Sequence, residues 1–401
     1  WSLEVDSGWE QIVEVTFSEL GKASVPNVPE GETVESCGML YAYNAIYEGI
    51  SCKKPKLIKK FERRIFPTTT TTGDPVIRRL ASQGVGTVFT TNTLLTTLMT
   101  ANRSVQSWDI VVQRVGDKLF FDKRDDSKID LVTVNEAARD PPRNDTKDIN
   151  SQDALYAEAT QLNHRFSQDL LVESQRVRLD KPNPFIDQTA EMTSVGYLYR
   201  KWELSEDIVL LARCEVDCAA PVGTPPNPDG SPPTMVMKAL NEVPEAAAGG
   251  GAKPAGGAQS WKAKLDSQRG AILASEMKNN NPKFARWTAQ ALLADAAFIK
   301  VGFVARSNPK DIASHQILDV QTLKPKELAM QIALSQSNMW GIFKHLVTLC
   351  LRYIDSGEKA VIVKDPNQAA LKIFRVPADA FEESDIEESD DEGSDGDDAS
   401  E

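Results

Sequence analysis

Residues 208–214 read Ile-Val-Leu-Leu-Ala-Arg-Cys, apolar at almost every position, with Asp207 before them and Glu215 after. A strand with one wet face alternates polar and apolar residues, whereas one that does not alternate is buried on both faces. Residues 207–215 are therefore predicted to form a central strand, with 195–204 as its neighbour. Further strands are expected at 11–20, 37–47, 85–90, 234–240, 271–277, 299–305 and 315–320. Two hairpins are expected, 108–121 around Gly116-Asp117 and 360–376 around Asp365-Pro366-Asn367.

Helical patterns are interleaved with these strands. Gly73-Asp74-Pro75 reads as a stop, an N-cap and a first helical residue. Leu155, Ala159, Leu162 and Phe166 form a stripe at three- and four-residue spacing. Segments 94–99, 261–268, 282–297 and 335–354 complete the helices, the last being the longest. The predicted class is α+β, with mixed β-sheets flanked by helices.

Of the 401 residues 41% are hydrophobic and 26% charged, enough for a substantial core. No run approaches the 18 apolar residues of a membrane span. The formal charge of −13 belongs to residues 379–401, which hold 13 acids and no base. The remaining body is neutral, so an RNA partner is not excluded. Five scattered cysteines and three histidines argue for a reducing compartment and against a zinc site. The first residue is Trp1 and not Met, which points to processing or an excised fragment.

Three low-order stretches interrupt the body. Residues 139–153 are polar, 219–233 hold six prolines, and 244–257 are mostly Ala and Gly. Such compositions bury too little apolar surface to offset their ordering entropy, so all three are expected to be mobile loops inserted in one fold. The acidic tail 379–401 is expected to be disordered, with Ser384, Ser389 and Ser394 set before acids as acidophilic kinases favour.

The chemistry-bearing motifs are few. There is no phosphate loop, dinucleotide fingerprint, His-Glu-x-x-His or serine-hydrolase elbow. Glu215-Val216-Asp217 and Glu276-Met277-Lys278 each close a predicted strand, and i, i+2 spacing on a strand aims both ends at one face. Three carboxylates and a lysine there could hold a divalent metal such as magnesium; the bland alternative is two common words in a charged chain. Lys53, Lys54, Lys56, Lys59, Lys60, Arg63 and Arg64, followed by Arg78 and Arg79, could track a phosphate backbone or simply be solvated. Thr160, Asn163 and His164 form one polar patch on the striped helix.

Several runs carry a resemblance. Arg63-Arg64-Ile65-Phe66, Asp74-Pro75-Val76-Ile77-Arg78, Ser107 through Gly116, Leu265-Asp266-Ser267-Gln268-Arg269-Gly270, Ala285-Arg286-Trp287 and the acidic C-terminus closely resemble the D-type subunit family of eukaryotic translation initiation factor three. The resemblance spans nearly the whole chain but not the family's amino-terminal tethering region.

It implies a single cap-binding domain over 1–378, followed by the tail, with a fold similar to the decapping exoribonuclease family. It implies noncatalytic binding of the messenger RNA 5′ cap in the cytoplasm, alongside other subunits of the initiation factor and the small ribosomal subunit, with no membrane role. No cofactor is called for. Cap-related family positions fall on Asn92, Val105, Gln106, Thr160, Asn163 and His164, with Lys59, Lys60, Arg63 and Arg78 nearest for phosphates. Asn92 stands where relatives can carry Asp, and Gln106 where they can carry Tyr. Glu215, Asp217, Glu276 and Lys278 would match the nuclease words on adjacent strands, retained as a pocket floor. Two alternatives stay open: a metal-dependent 5′-end nuclease or decapping enzyme, and a structural component contacting proteins and ribosomal RNA. Trp108, Trp202, Phe185 and the tyrosines are the aromatics considered for the cap.

Overall fold

The computed structural model describes residues 5–59, 70–125, 127–144, 148–186, 193–228, 230–243 and 260–381. Lys60, Arg63, the 244–257 insertion and the tail beyond 381 lie outside them. In chain order the first elements are β1 (Glu10–Thr16), α1 (Phe17–Lys22), β2 (Glu32–Tyr43), β3 (Lys56–Leu57), α2 (Pro75–Ser82), β4 (Val88–Thr91), α3 (Asn92–Met99), β5 (Trp108–Val115) and β6 (Lys118–Asp122). Next come α4 (Gln152–Asp169), β7 (Leu171–Arg178), β8 (Val195–Glu203), β9 (Val209–Val216), β10 (Cys218–Ala219), β11 (Thr234–Asn241), α5 (Trp261–Asn279) and α6 (Asn281–Leu293). The last are β12 (Phe298–Arg306), β13 (His315–Leu323), α7 (Pro325–Gln331), α8 (Gln336–Tyr353), β14 (Lys359–Lys364) and β15 (Ala370–Val376).

The strands form one hydrogen-bonded path, β1-β15-β14-β5-β6-β4-β9-β8-β2-β10-β11-β12-β13-β3, with β7 paired to β2. It is mixed: β4 runs parallel to β6 and β9, and β11 to β12, whereas the first strand, β1, is antiparallel to the last, β15. The central position of β9 follows from its side chains. Leu210, Ala212, Cys214 and Val216 enter the main core with α3, α6 and α8, while Leu211 packs against Ile77 and Leu80 of α2. Both faces are covered, which is why the segment does not alternate.

Two local devices set the helices that matter for the site. Asp74 caps α2 by accepting the N–H groups of Val76 at 2.8 Å and Ile77 at 3.1 Å, and Pro75 opens the helix as expected. On α4 the predicted stripe is buried, and Phe166 rests on Gly302 of β12: a Cβ there would stand 2.2 Å from the ring. Only glycine permits this approach of helix to sheet. The 219–233 segment is irregular after β10, with Ala220 N–H donating to Pro233 O at 2.8 Å and Asn227 N–H to Ser231 O at 2.9 Å.

Two expectations are corrected, and one strand is added. Residues 271–277 are the second half of helix α5, not a strand. Ala, Leu, Glu and Met favour helix there, and Ile272 is the one β-branched residue. The strand expected over 11–20 stops at Thr16, where a capping box between Thr16 and Glu19 starts α1. Strand β7 was not anticipated, because its polar residues Glu173 to Arg176 are exposed and no apolar alternation marks it.

Candidate functional site

Beyond β9 the chain continues into β10, which pairs antiparallel with β11. This brings Glu215 and Asp217 beside β11. Asp217 donates its N–H to Met235 O at 3.0 Å, and its Oδ2 accepts the Met237 N–H at 2.7 Å. Helix α4 is fastened over β11 by Asn163, whose Nδ2 donates to Ala239 O at 3.0 Å while its Oδ1 accepts the Ala239 N–H at 2.9 Å. His164 follows it. Helix α3 begins at Asn92 directly after β4, and α6 supplies Lys283, Arg286 and Trp287. Asn92, Asn163, His164, Glu215, Asp217, Val236, Lys238 and these α6 side chains line one cavity of about 210 Å³.

Its lining holds five cations, Lys123, Arg213, Lys238, Lys283 and Arg286, against the carboxylates of Asp130, Glu215 and Asp217. Three of the cations are committed. Arg213 pairs with buried Asp74 at 2.8 Å, Lys123 pairs with Asp130, and Lys283 donates to Thr133 O at 2.9 Å. Among the described residues Lys238 and Arg286 have no ion pair and no hydrogen bond from their charged groups. Of the acids, Asp217 is spent on Met237, while the Glu215 side chain keeps 42% of its surface open and has Arg213 Nε at 3.5 Å.

Burial raises the Glu215 and Asp217 carboxyls above their ordinary values, with the positive charge of Lys238 opposing in both cases and that of Arg213 opposing at Glu215. Burial, then Lys238, pushes the His164 imidazole down, which keeps it neutral at pH 7. The cavity thus offers neutral donors and acceptors, one open carboxylate and two uncommitted cations. Tyr197 and Trp287 also line it, both buried, with Arg213 over the first ring and Lys283 over the second. Trp108 instead donates to Ser104 Oγ at 3.0 Å, Trp202 packs on Trp340 with centroids 5.5 Å apart, and Phe185 lies edge-on to Tyr197 at 5.0 Å.

Other expected site residues lie outside the lining. Thr160, one turn before His164, donates its hydroxyl to Tyr156 O at 2.8 Å and accepts the Val132 N–H at 2.8 Å. Gln106 bonds to the Tyr156 hydroxyl, and Val105 is exposed. Lys59 is exposed near Asp169 at 3.6 Å, and Arg78 lies on the exposed side of α2.

The four-residue acidic set does not assemble. On helix α5 residues i and i+2 point about 200° apart: Lys278 is exposed, and Glu276 turns inward to accept Asn280 Nδ2 at 2.9 Å. Burial raises the Glu276 carboxyl and lowers the Lys283 ammonium beside it. The strand word that faces Glu215-x-Asp217 is Val236-x-Lys238, with an apolar side chain where a third carboxylate would stand. Among the described residues no group of three His, Cys, Asp or Glu is placed to hold a metal, so the two words do not form the divalent-metal site they could have supplied.

Lys238, Arg286 and Trp287 were not singled out as site residues from sequence. Lys238 did carry a signal, as the one charge inside the apolar strand 234–240.

The fold is that of the Rai1-type decapping exonucleases. It superimposes on Scheffersomyces stipitis Rai1, solved with 3′-NADP⁺ and calcium, with a TM-score of 0.52 over 94% of this chain and 95% of that one at 13% identity. Candida albicans Rai1, solved with pU5 and Mn²⁺, gives a TM-score of 0.51 over 90% and 93% at 11% identity. At the level of sequence the kinship is much closer and lies elsewhere. Residues 1–375 match the family model described as Eukaryotic translation initiation factor 3 subunit 7 (eIF-3). The D-1 subunit of that factor from Drosophila sechellia is 44% identical over 98% of this chain and 68% of its own length; the D subunit from Aedes aegypti is 43% identical over 98% and 61%.

The chain belongs to the D-type subunit family of eukaryotic translation initiation factor 3 and spans about two thirds of the length of the Drosophila relatives. Among the described residues no helix is long and apolar enough to cross a membrane.

Proposed function

We propose that residues 1–378 act as one cap-binding domain, which holds the 5′ cap of a messenger RNA in this cavity without cleaving it. One observation carries the reading: Asn92, His164 and Glu215 share a cavity with two cations, Lys238 and Arg286, that no side chain among the described residues neutralises by contact. A cap combines a positively charged methylated base with a polyphosphate, and the cavity holds both complements. The open Glu215 carboxylate is the complement of the charged base, while Tyr197 and Trp287 line the cavity as buried walls. Lys238 and Arg286 take the phosphate bridge.

Asn92 and His164 touch the ligand in this reading. Thr160, Asn163 and Gln106, already bonded internally, position them, and Val105 is exposed outside the lining. Lys59 and Arg78, with Lys60 and Arg63, guide RNA beyond the cap through backbone charge. Contacts with other components of the initiation factor and with the small ribosomal subunit belong to the rest of the surface. Val236 argues against the nuclease alternative, since the strand word needed for a metal lacks its carboxylate.

The test is ultraviolet crosslinking of the protein to RNA labelled in the cap, challenged with free cap analogue. Loss of the crosslink at excess analogue is expected, with the 5′ end intact after incubation with Mg²⁺ or Mn²⁺. An analogue that does not compete replaces this reading with that of a structural component, and release of the cap revives the nuclease.

A further inference from the structure

We propose that Glu215 is the residue that makes this cavity specific for guanine, by accepting the N1–H and the exocyclic N2–H of the base with its two carboxylate oxygens. The inference rests on the cap-binding reading and deepens it. The two carboxylates that close β9 have separate fates. Asp217 Oδ2 is occupied by the Met237 N–H at 2.7 Å, and the Asp217 carbonyl accepts the Ser194 hydroxyl at 2.6 Å, so this residue builds the floor. Among the described residues nothing donates a hydrogen bond to the Glu215 carboxylate, and 42% of that side chain stays open within the cavity.

The surroundings hold Glu215 for such a role. Arg213, two residues earlier on the same strand face, is locked by Asp74 at 2.8 Å, and its Nε at 3.5 Å is too far to occupy the carboxylate. Arg213 lies over the Tyr197 ring, 5.6 Å from its centroid, and Tyr197 itself lines the cavity. The Glu215 carboxylate is thus left open to the cavity, where a bound base would present its edge. Two parallel N–H donors match two carboxylate oxygens, and methylation at N7 adds positive charge to the ring that strengthens both bonds. Adenine has no donor at N1 and none at C2, so it cannot make either contact. Hypoxanthine keeps the N1–H and lacks the 2-amino group.

The test uses the intact 401-residue chain and three nucleotides: 7-methylguanosine triphosphate, 7-methylinosine triphosphate and ATP. Binding is titrated by calorimetry for the wild type and for Glu215→Gln, with circular dichroism melts to establish that both are folded, and Glu215→Asp as a variant that retains the carboxylate. A hydrogen bond to a charged acceptor corresponds to about tenfold or more in affinity. The wild type is expected to bind 7-methylguanosine triphosphate about tenfold or more tightly than the inosine analogue, with ATP weaker still. Glu215→Gln, whose amide meets the base edge with a donor of its own, is expected to lose most of that preference. A Glu215→Gln protein that keeps the wild-type ratio, or a wild type indifferent to the 2-amino group, overturns the assignment and leaves cap binding standing. A folded wild type that binds none of the methylated nucleotides overturns both.

Discussion

Asn163 grips the backbone of Ala239 from both sides: its amide oxygen accepts the N–H at 2.9 Å and its amide nitrogen donates to the carbonyl at 3.0 Å. A side chain that mimics a strand partner in this way closes an open stretch of β11 while fixing the rotation of α4, and so the direction of His164. The two roles are one contact.

Replacing Asn163 with Leu keeps the size and removes the grip. Both backbone groups of Ala239 are then left buried without that partner, at about 1–3 kcal/mol each. Chemical denaturation is expected to show a loss of about 2–6 kcal/mol with an unchanged slope. A loss below about 0.5 kcal/mol counts against the contact.

Glu158, also on α4, accepts from Arg306 Nε at 2.8 Å and Nη2 at 2.5 Å and lies 2.7 Å from His315 Nε2, all three residues buried. Burial alone would raise its carboxyl, but the hydrogen bonds from Arg306 and His315 outweigh burial and hold it below 4.5. A carboxyl lowered on folding contributes stability that is present above about pH 4.5 and is lost as pH falls through the folded value. Glu158→Gln is expected to cost about 3–5 kcal/mol at pH 7, since Arg306 loses its buried counter-charge. Its stability should also fall less steeply than the wild type's below about pH 4.5. Parallel acid limbs in a pH series of melts would refute the assignment.

At Gly302 a methyl group has no room, with the Phe166 ring 2.2 Å from where it would sit. Gly302→Ala is expected to destabilise by about 1–3 kcal/mol through overpacking. Pairing it with Phe166→Leu should cost less than the sum of the two single changes, and a double-mutant cycle measures the difference. Strict additivity would place the strain elsewhere.

Val236→Glu restores a carboxylate opposite Glu215-x-Asp217. Without metal the added buried charge lowers the melting temperature. With Mn²⁺ at about a hundred times its dissociation constant the variant regains about 2.7 kcal/mol, while the wild type is unmoved. A wild-type melt that rises equally with Mn²⁺ would show that the existing donors already hold an ion.

Much of the architecture could be read from residue order. The two-sided burial of β9, the Asp74-Pro75 helix start and the α4 stripe all rest on local periodicity or capping, which the sequence displays directly. Thr16 and Glu19 also spell out a capping box, but the apolar residues on either side favour a longer strand. The site is harder to read, because its members meet only through long-range pairing. Glu276-Met277-Lys278 has the same spelling as a strand-borne metal word, and spacing says nothing of whether the backbone is extended or helical. The lysine that does face Glu215 comes from β11, which reaches β9 by way of the two-residue strand β10. That strand is too short to announce itself among the prolines that follow.

Strand β1 is hydrogen-bonded to β15, with Glu14 opposite Lys372 and Thr16 opposite Ala370. During vectorial synthesis β1 must therefore wait for this partner until more than 350 later residues have left the ribosome. Synthesis thus contains a long interval in which the β1 edge lacks this partner and is open to wrong ones.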